Sequence, residues 1–115
     1  MRPDWQFSHV GMITTEPKPG EVFIEATRVW ITNFIDHPFH VEWLRFEPDS
    51  PVTGPVRTQP HVAYRVPRIE DACQGLQVLL EPFVPMPGLR VAFFLSEDGA
   101  VVELMEYQSE DIFRQ

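Results

Sequence analysis

The sequence predicts an α+β fold in which two similar βαβββ modules pair into one curved mixed sheet, the first module with its helix shortened or missing. Three observations predict it. The second half reads in order as strand, helix, short strand, strand, strand. Each half opens on a strand carrying a histidine and closes on a strand carrying a glutamate. The histidine-to-glutamate spacing is 33 residues in the first half and 42 in the second, a deficit about as long as the helix that the first half lacks. At 115 residues the chain is a single domain, 1–115, large enough for a core but not for separate catalytic and regulatory parts. Module one spans about 5–48 and module two about 59–108.

In module one, the run from Phe7 to Thr14 reads as a strand. Glu21 to Phe34 gives one or two more, most clearly at Arg28-Val29-Trp30-Ile31-Thr32, and Phe39 to Phe46 gives another. Only six residues, mostly polar, Pro or Gly, separate Thr14 from Glu21, too few for a full helix. Nine of the twelve prolines collect at 17–19, 48–60 and 82–87 and punctuate the chain. Pro48 to Pro55 has turn chemistry and little that could pack, so it reads as the connection between modules.

In module two, Pro60 to Val66 is rich in β-branched and aromatic residues, which suits a strand. Ile69, Ala72, Cys73, Leu76, Leu79 and Leu80 fall at helical spacing, with Glu70 and Asp71 in the first turn where the helix dipole favours acids. The expectation is a helix over 69–80, with Gly75 counting against it. Cys73 then reads as a small buried hydrophobe; nothing nearby would lower its pKa, and a lone cysteine allows no internal disulfide. Arg90–Ser96 and Ala100–Tyr107 flank Glu97-Asp98-Gly99, a hairpin signal because Gly accepts the positive φ of the turn.

Set side by side, Ser8-His9-Val10-Gly11 matches Pro60-His61-Val62-Ala63, and the strand around Glu42 matches the strand around Glu103. Two modules that cannot each close a core would pack about a pseudo-twofold axis, where the two His and two Glu converge. Alternation places Glu103, Met105 and Tyr107 on one strand face, Glu42, Leu44 and Phe46 on the equivalent face, and groups His61 with Ala63 and Arg65, and His9 with Gly11 and Ile13. The expected cavity is largely apolar, with Arg65 as a cation for an anionic substrate group.

Nine basic against seventeen acidic side chains give a net charge of −8, with no cluster of Lys and Arg. This argues against nucleic acid and anionic membrane as partners. The start of the chain lacks a signal-peptide pattern and the apolar runs are far short of a membrane span, so the sequence reads as soluble and cytoplasmic.

These features resemble the vicinal oxygen chelate superfamily, which includes glyoxalase I, methylmalonyl-CoA epimerase, extradiol dioxygenases and the bleomycin and fosfomycin resistance proteins. The resemblance rests on the duplicated module, the "HV" strand openings and the final Asp98-Gly99-Ala100-Val101-Val102-Glu103-Leu104. It implies a metal held by His9, Glu42, His61 and Glu103, with His40 an alternative to Glu42. It also implies that Glu42 or Glu103 acts as catalytic base, and that Arg65, Met105, Tyr107 and Phe46 face the substrate. Imidazole and carboxylate suit one divalent ion such as Zn, Ni, Co, Mn or Fe.

The implied activity is metal-dependent lyase or isomerase chemistry of the glyoxalase type on a small carbonyl or hydroxy compound. The alternative is a metal-free protein that sequesters a small molecule in the same cavity. A homodimer is expected, because a truncated module leaves apolar strand surface uncovered. His37-Pro38-Phe39-His40 reads as a surface turn rather than a zinc site, and Trp5, Trp30 and Trp43 as core or dimer contacts rather than a stacking platform. Ile112 and Phe113 are expected to anchor a solvated tail.

Overall fold

A computed structural model of the chain describes residues 2–109 and 113. Eight strands form one mixed, curled sheet: β1 (Gln6–Ile13), β2 (Val22–Ile24), β3 (Val29–Ile31), β4 (Val41–Phe46), β5 (His61–Arg65), β6 (Gln77–Met86), β7 (Leu89–Leu95) and β8 (Val101–Tyr107). The helical elements are short: a 3-10 turn at Phe34–Asp36 and two single-turn helices, α1 (Pro55–Thr58) and α2 (Ile69–Ala72). None is long and apolar enough to cross a membrane.

The strand order is β2-β3-β4-β1-β5-β8-β7-β6. β1 and β5 pair antiparallel at the centre, and each is flanked by a parallel neighbour, β4 and β8 respectively. The outer pairs are antiparallel hairpins. The sheet curls enough for Met86, on the β6 edge, to pack against Ile24, Val29 and Leu44 of the opposite half.

Period-two alternation sorts side chains between two faces. On the inner face, Ala63, Val91, Phe93, Val101 and Met105 form a core with Phe34, Val52 and Val56. On the outer face of the second half, Ala92, Phe94 and Leu104 pack under Val66, Ile69 and Ala72, so β7 is buried on both sides. The N-cap Arg68 makes no side-chain capping hydrogen bond; instead Glu106 of β8 accepts the free N–H of Ile69 at 3.0 Å. Arg90 bridges Glu106 and Glu70, and its guanidinium draws the Glu70 carboxyl down to about 2.

Among the described residues the first half carries no such helical cover. Its outer aromatics lie under cations instead: Lys18 over Trp43 at 4.5 Å, Arg45 over Trp30 at 5.4 Å and Arg28 over Phe23 at 5.4 Å. Glu21 holds Arg45 through a bidentate pair at 2.7 and 2.9 Å. Long cationic stems cover apolar surface while the charged heads stay in water. Trp30 and Trp43 are therefore half-buried under their own chain, and Trp5 packs on Tyr64 at 5.5 Å.

Four expectations are corrected. The helix over 69–80 stops at Ala72. Gly75 adopts φ +81°, Leu76 N–H closes a turn on the Cys73 carbonyl, and from Gln77 the chain pairs with β7. Helical spacing held through Leu76, which stays on the outer face with Cys73, but Leu79 and Leu80 face the inner core. Strand pairing outweighs a short apolar run whose periodicity fits either structure. Cys73, at the end of the truncated helix, is partly exposed rather than buried.

The proline-rich stretch after it belongs to the ten-residue β6 rather than to a short strand. β6 is a sheet edge, where Pro82 and Pro85 need not donate to the ladder, and its pairing shifts register three times. The connection at 48–55 does pack: β4 and β5 flank β1, so the chain must cross that strand, and Val52 is buried in the inner core. Ser50 donates to the Thr27 carbonyl, and Arg57 donates to the carbonyls of Glu47, Ser50 and Val52.

Of the tail, Phe113 packs on Phe34 with ring centroids 4.7 Å apart, and its carbonyl accepts from Asn33 at 2.8 Å. Ile112 lies outside the described residues.

Candidate metal centre

Sheet register builds the site. Across the central pair, His9 stands opposite Ala63 and Gly11 opposite His61. β4 sets Glu42 beside Gly11, and β8 sets Glu103 beside Ala63. Two rungs result, Glu42–Gly11–His61 and His9–Ala63–Glu103, each with a small residue in the middle. Those small residues leave the inner face open above the strand pair, and the four larger side chains lean into that space. At Gly11 the requirement is steric: a Cβ there would lie 2.0 Å from Cε1 of His61.

The four side chains are buried, and one ligand atom from each lies within 4.8 Å of the others. His9 Nε2 is 3.2 Å from Glu103 Oε1 and 3.5 Å from Glu42 Oε1. His61 Nε2 is 3.1 Å from the same Glu103 oxygen and 3.7 Å from Glu42 Oε1. Among the described residues, His9 Nε2, both ring nitrogens of His61 and Glu103 Oε1 have no hydrogen-bond partner. Buried polar atoms without partners are costly, and a shared ion would satisfy the three that converge, His9 Nε2, His61 Nε2 and Glu103 Oε1, while His61 Nδ1 stays without one.

Neighbours fix the imidazoles. Ser8 Oγ lies 2.9 Å from His9 Nδ1, which leaves Nε2 turned inward. Phe34 stacks on His9 at 4.4 Å and Phe93 meets His61 edge-on at 5.2 Å. In the cluster by itself a proton supplies the missing positive charge. Burial disfavours the His9 imidazolium, but the Glu42 and Glu103 carboxylates prevail and raise its pKa to about 10. Burial likewise pushes the Glu103 carboxyl up, yet the imidazoles of His61 and His9 hold it down at about 2. A site that binds a proton this firmly for want of positive charge is suited to a cation. Two imidazoles and two carboxylates fit a borderline divalent ion, so the residues present suit the group.

Two of the four, Glu42 and Glu103, open onto a narrow cleft on the inner face, with a cavity volume of about 50 Å³ inside a wider, solvent-open space of about 550 Å³. Met105 and Phe46 line it as well. Arg65 and Tyr107 lie elsewhere, lining a separate depression with Asp4 and Gln6, the Arg65 guanidinium 3.9 Å over the Tyr107 ring. His40 stands outside the cluster, at φ +52° with Nδ1 2.9 Å from the Ser8 carbonyl oxygen. His37 Nδ1 accepts from Phe39 N–H within its turn.

Sequence reasoning assigned no role to Gly11, Ser8, Phe34 or Phe93. Gly11 carried a usable signal, since a glycine inside a strand pattern marks a close approach. Phe34 and Phe93 carried none, because an aromatic in an apolar strand or turn reads the same whether or not it touches a histidine. No protein-family model matches this chain, and no curated protein matches it either.

Proposed function

We propose that the chain is a metal-dependent lyase or isomerase of the vicinal oxygen chelate type, built from two paired modules and acting on a small carbonyl or hydroxy compound. The observation that carries the reading is the convergence of four buried ligand atoms, three of them without partners, beside an apolar cleft. The strand order, which has the same pattern of parallel and antiparallel neighbours on either side of the β1–β5 pair, supports the paired modules.

His9, Glu42, His61 and Glu103 would hold the ion. Once bound, a divalent ion supplies Lewis acidity to a substrate oxygen, which eases removal of the proton on the adjacent carbon. The chain's own part is positional. Phe34 and Phe93 lock the imidazole planes, and the apolar walls exclude water. Glu42, farther from both imidazoles than Glu103, is the carboxylate better placed to accept a proton. Met105 and Phe46 would contact the substrate.

The same apolar walls favour a second reading, a metal-free protein that sequesters its ligand. Elemental analysis of protein purified without an affinity-metal step separates the two. About one ion per chain supports the enzyme. None, even after incubation with Zn, Ni, Co, Mn and Fe(II), overturns it in favour of sequestration. The homodimer remains part of the proposal, through the first half's outer face, and light scattering tests it; a monomer at high concentration would remove it.

A further inference from the structure

The cleft's chemistry is one-sided. Its walls come from both halves of the sheet: Leu44 and Val29 on one side, Met86, Phe83 and Val91 on the other. Among the described lining residues the polar side chains are Thr27, Glu42 and Glu103, so the ionisable groups there are both acids. Two cations among the described residues are committed elsewhere. Arg57 lies 5.7 Å from the Phe46 ring but spends its guanidinium on three backbone carbonyls, and Arg65 belongs to the separate depression.

A divalent ion does not change this balance. Two carboxylates cancel its charge and neutral imidazoles add none, so the loaded centre has no net charge with which to draw an anion into the cleft, and only direct ligation of an oxygen to the ion remains. An anion entering the cleft would lose its hydration against hydrocarbon walls, with no cationic side chain among the described lining residues to replace it.

We infer that the cleft takes an uncharged, largely hydrocarbon molecule whose oxygen atoms face the Glu42 and Glu103 end, and that it rejects carboxylates, sulfonates and phosphates. This rests on the cleft being the substrate site of the proposed function and narrows its substrate class. It replaces the sequence-based expectation of an anionic substrate held by Arg65.

A matched pair of fluorophores tests it: N-phenyl-1-naphthylamine, which is neutral, and 1-anilinonaphthalene-8-sulfonate, which adds one sulfonate to the same skeleton. The full chain should bind the neutral probe at least about tenfold more tightly, because the sulfonate must be desolvated without a partner. The preference should persist in about 1 M salt, where a Debye length of about 3 Å screens the protein's overall negative charge. It should hold for chelator-treated and zinc-loaded protein alike.

Met86→Lys, which places a cation at the wall, should weaken the neutral probe and strengthen the sulfonate. Equal or tighter sulfonate binding by the wild-type chain overturns the inference, as does a preference that vanishes in salt or neutral-probe binding indifferent to a folded Met86→Lys. If that variant does not fold, the wild-type comparison still decides. A preference for the neutral probe in a chain that takes up no metal leaves the inference standing and removes the enzyme reading alone.

Discussion

Gly11 and His61 occupy opposite positions on the two central strands, and the imidazole lies where a Cβ on Gly11 would be, 2.0 Å from its Cε1. The ring cannot retreat: Phe93 stands against it edge-on and the side chain is fully buried. A glycine with ordinary strand geometry is thus required by what lies across from it, not by its own φ.

Gly11→Ala should therefore displace His61 from the cluster. The expected cost of overpacking is about 1–3 kcal/mol in denaturant unfolding, with a parallel loss of bound metal. Ala63→Gly, on the equivalent rung, should keep the metal. Full metal content in Gly11→Ala would show that the ring has another place to go.

His61→Ala and Glu103→Gln should each lower bound metal from about one ion per chain to a small fraction of that, since each removes one of four ligands. His40→Ala should leave metal content unchanged, because that ring bonds the Ser8 carbonyl outside the cluster. Retention of metal by both cluster variants would refute the assignment.

Metal and proton compete for the same charge deficit. With the His9 pKa at about 10, the chelator-treated chain carries an extra proton at pH 7–8, and adding zinc should release it into a weakly buffered indicator solution. The sign for stability follows from a pKa raised above its ordinary 6.5. The His9 contribution is fully present below that value and is lost as pH rises through about 10. The Glu103 contribution runs oppositely: present above 4.5 and lost as pH falls through about 2. The melting temperature of metal-free protein should fall between pH 7 and 10, and His9→Gln should flatten that slope.

The proline-rich connection is load-carrying only where it is buried. Val52→Ala should cost about 1–3 kcal/mol, as a lost core side chain does, while Thr53→Ala on the exposed side should stay within about 0.5 kcal/mol. Equal effects in chevron or equilibrium unfolding would contradict the packing of this segment.

The convergence of His9, Glu42, His61 and Glu103 was legible in the sequence because its signal is local and duplicated. His-Val at the start of each half and Glu on each closing strand can be aligned by eye, and strand alternation then fixes which face each side chain occupies. The β7–β8 hairpin was legible for a similar reason: Gly99 takes φ +93°, which few other residues accept. The cleft lining at Phe46 and Met105 followed from the same alternation.

The end of α2 was not legible, because Leu76 to Leu80 satisfies helical and extended spacing alike, and only pairing with β7 decides between them. Nor was the place of Arg65. Its parity with His61 is right, but four residues farther along a strand of a curled sheet the side chain has left the cleft and lies on Tyr107.

What the sequence determined by itself is most of the strands, β6 excepted, with their alternation, the charge and the four candidate ligand residues, each read from residue type and local or duplicated pattern. What only the tertiary structure decided is register across β1 and β5, the close approach of His61 to Gly11, the burial of Val52 and the separation of Arg65 from the cleft. Those depend on which distant segment lies alongside, and a strand's hydrogen-bonding edge does not by itself specify its partner.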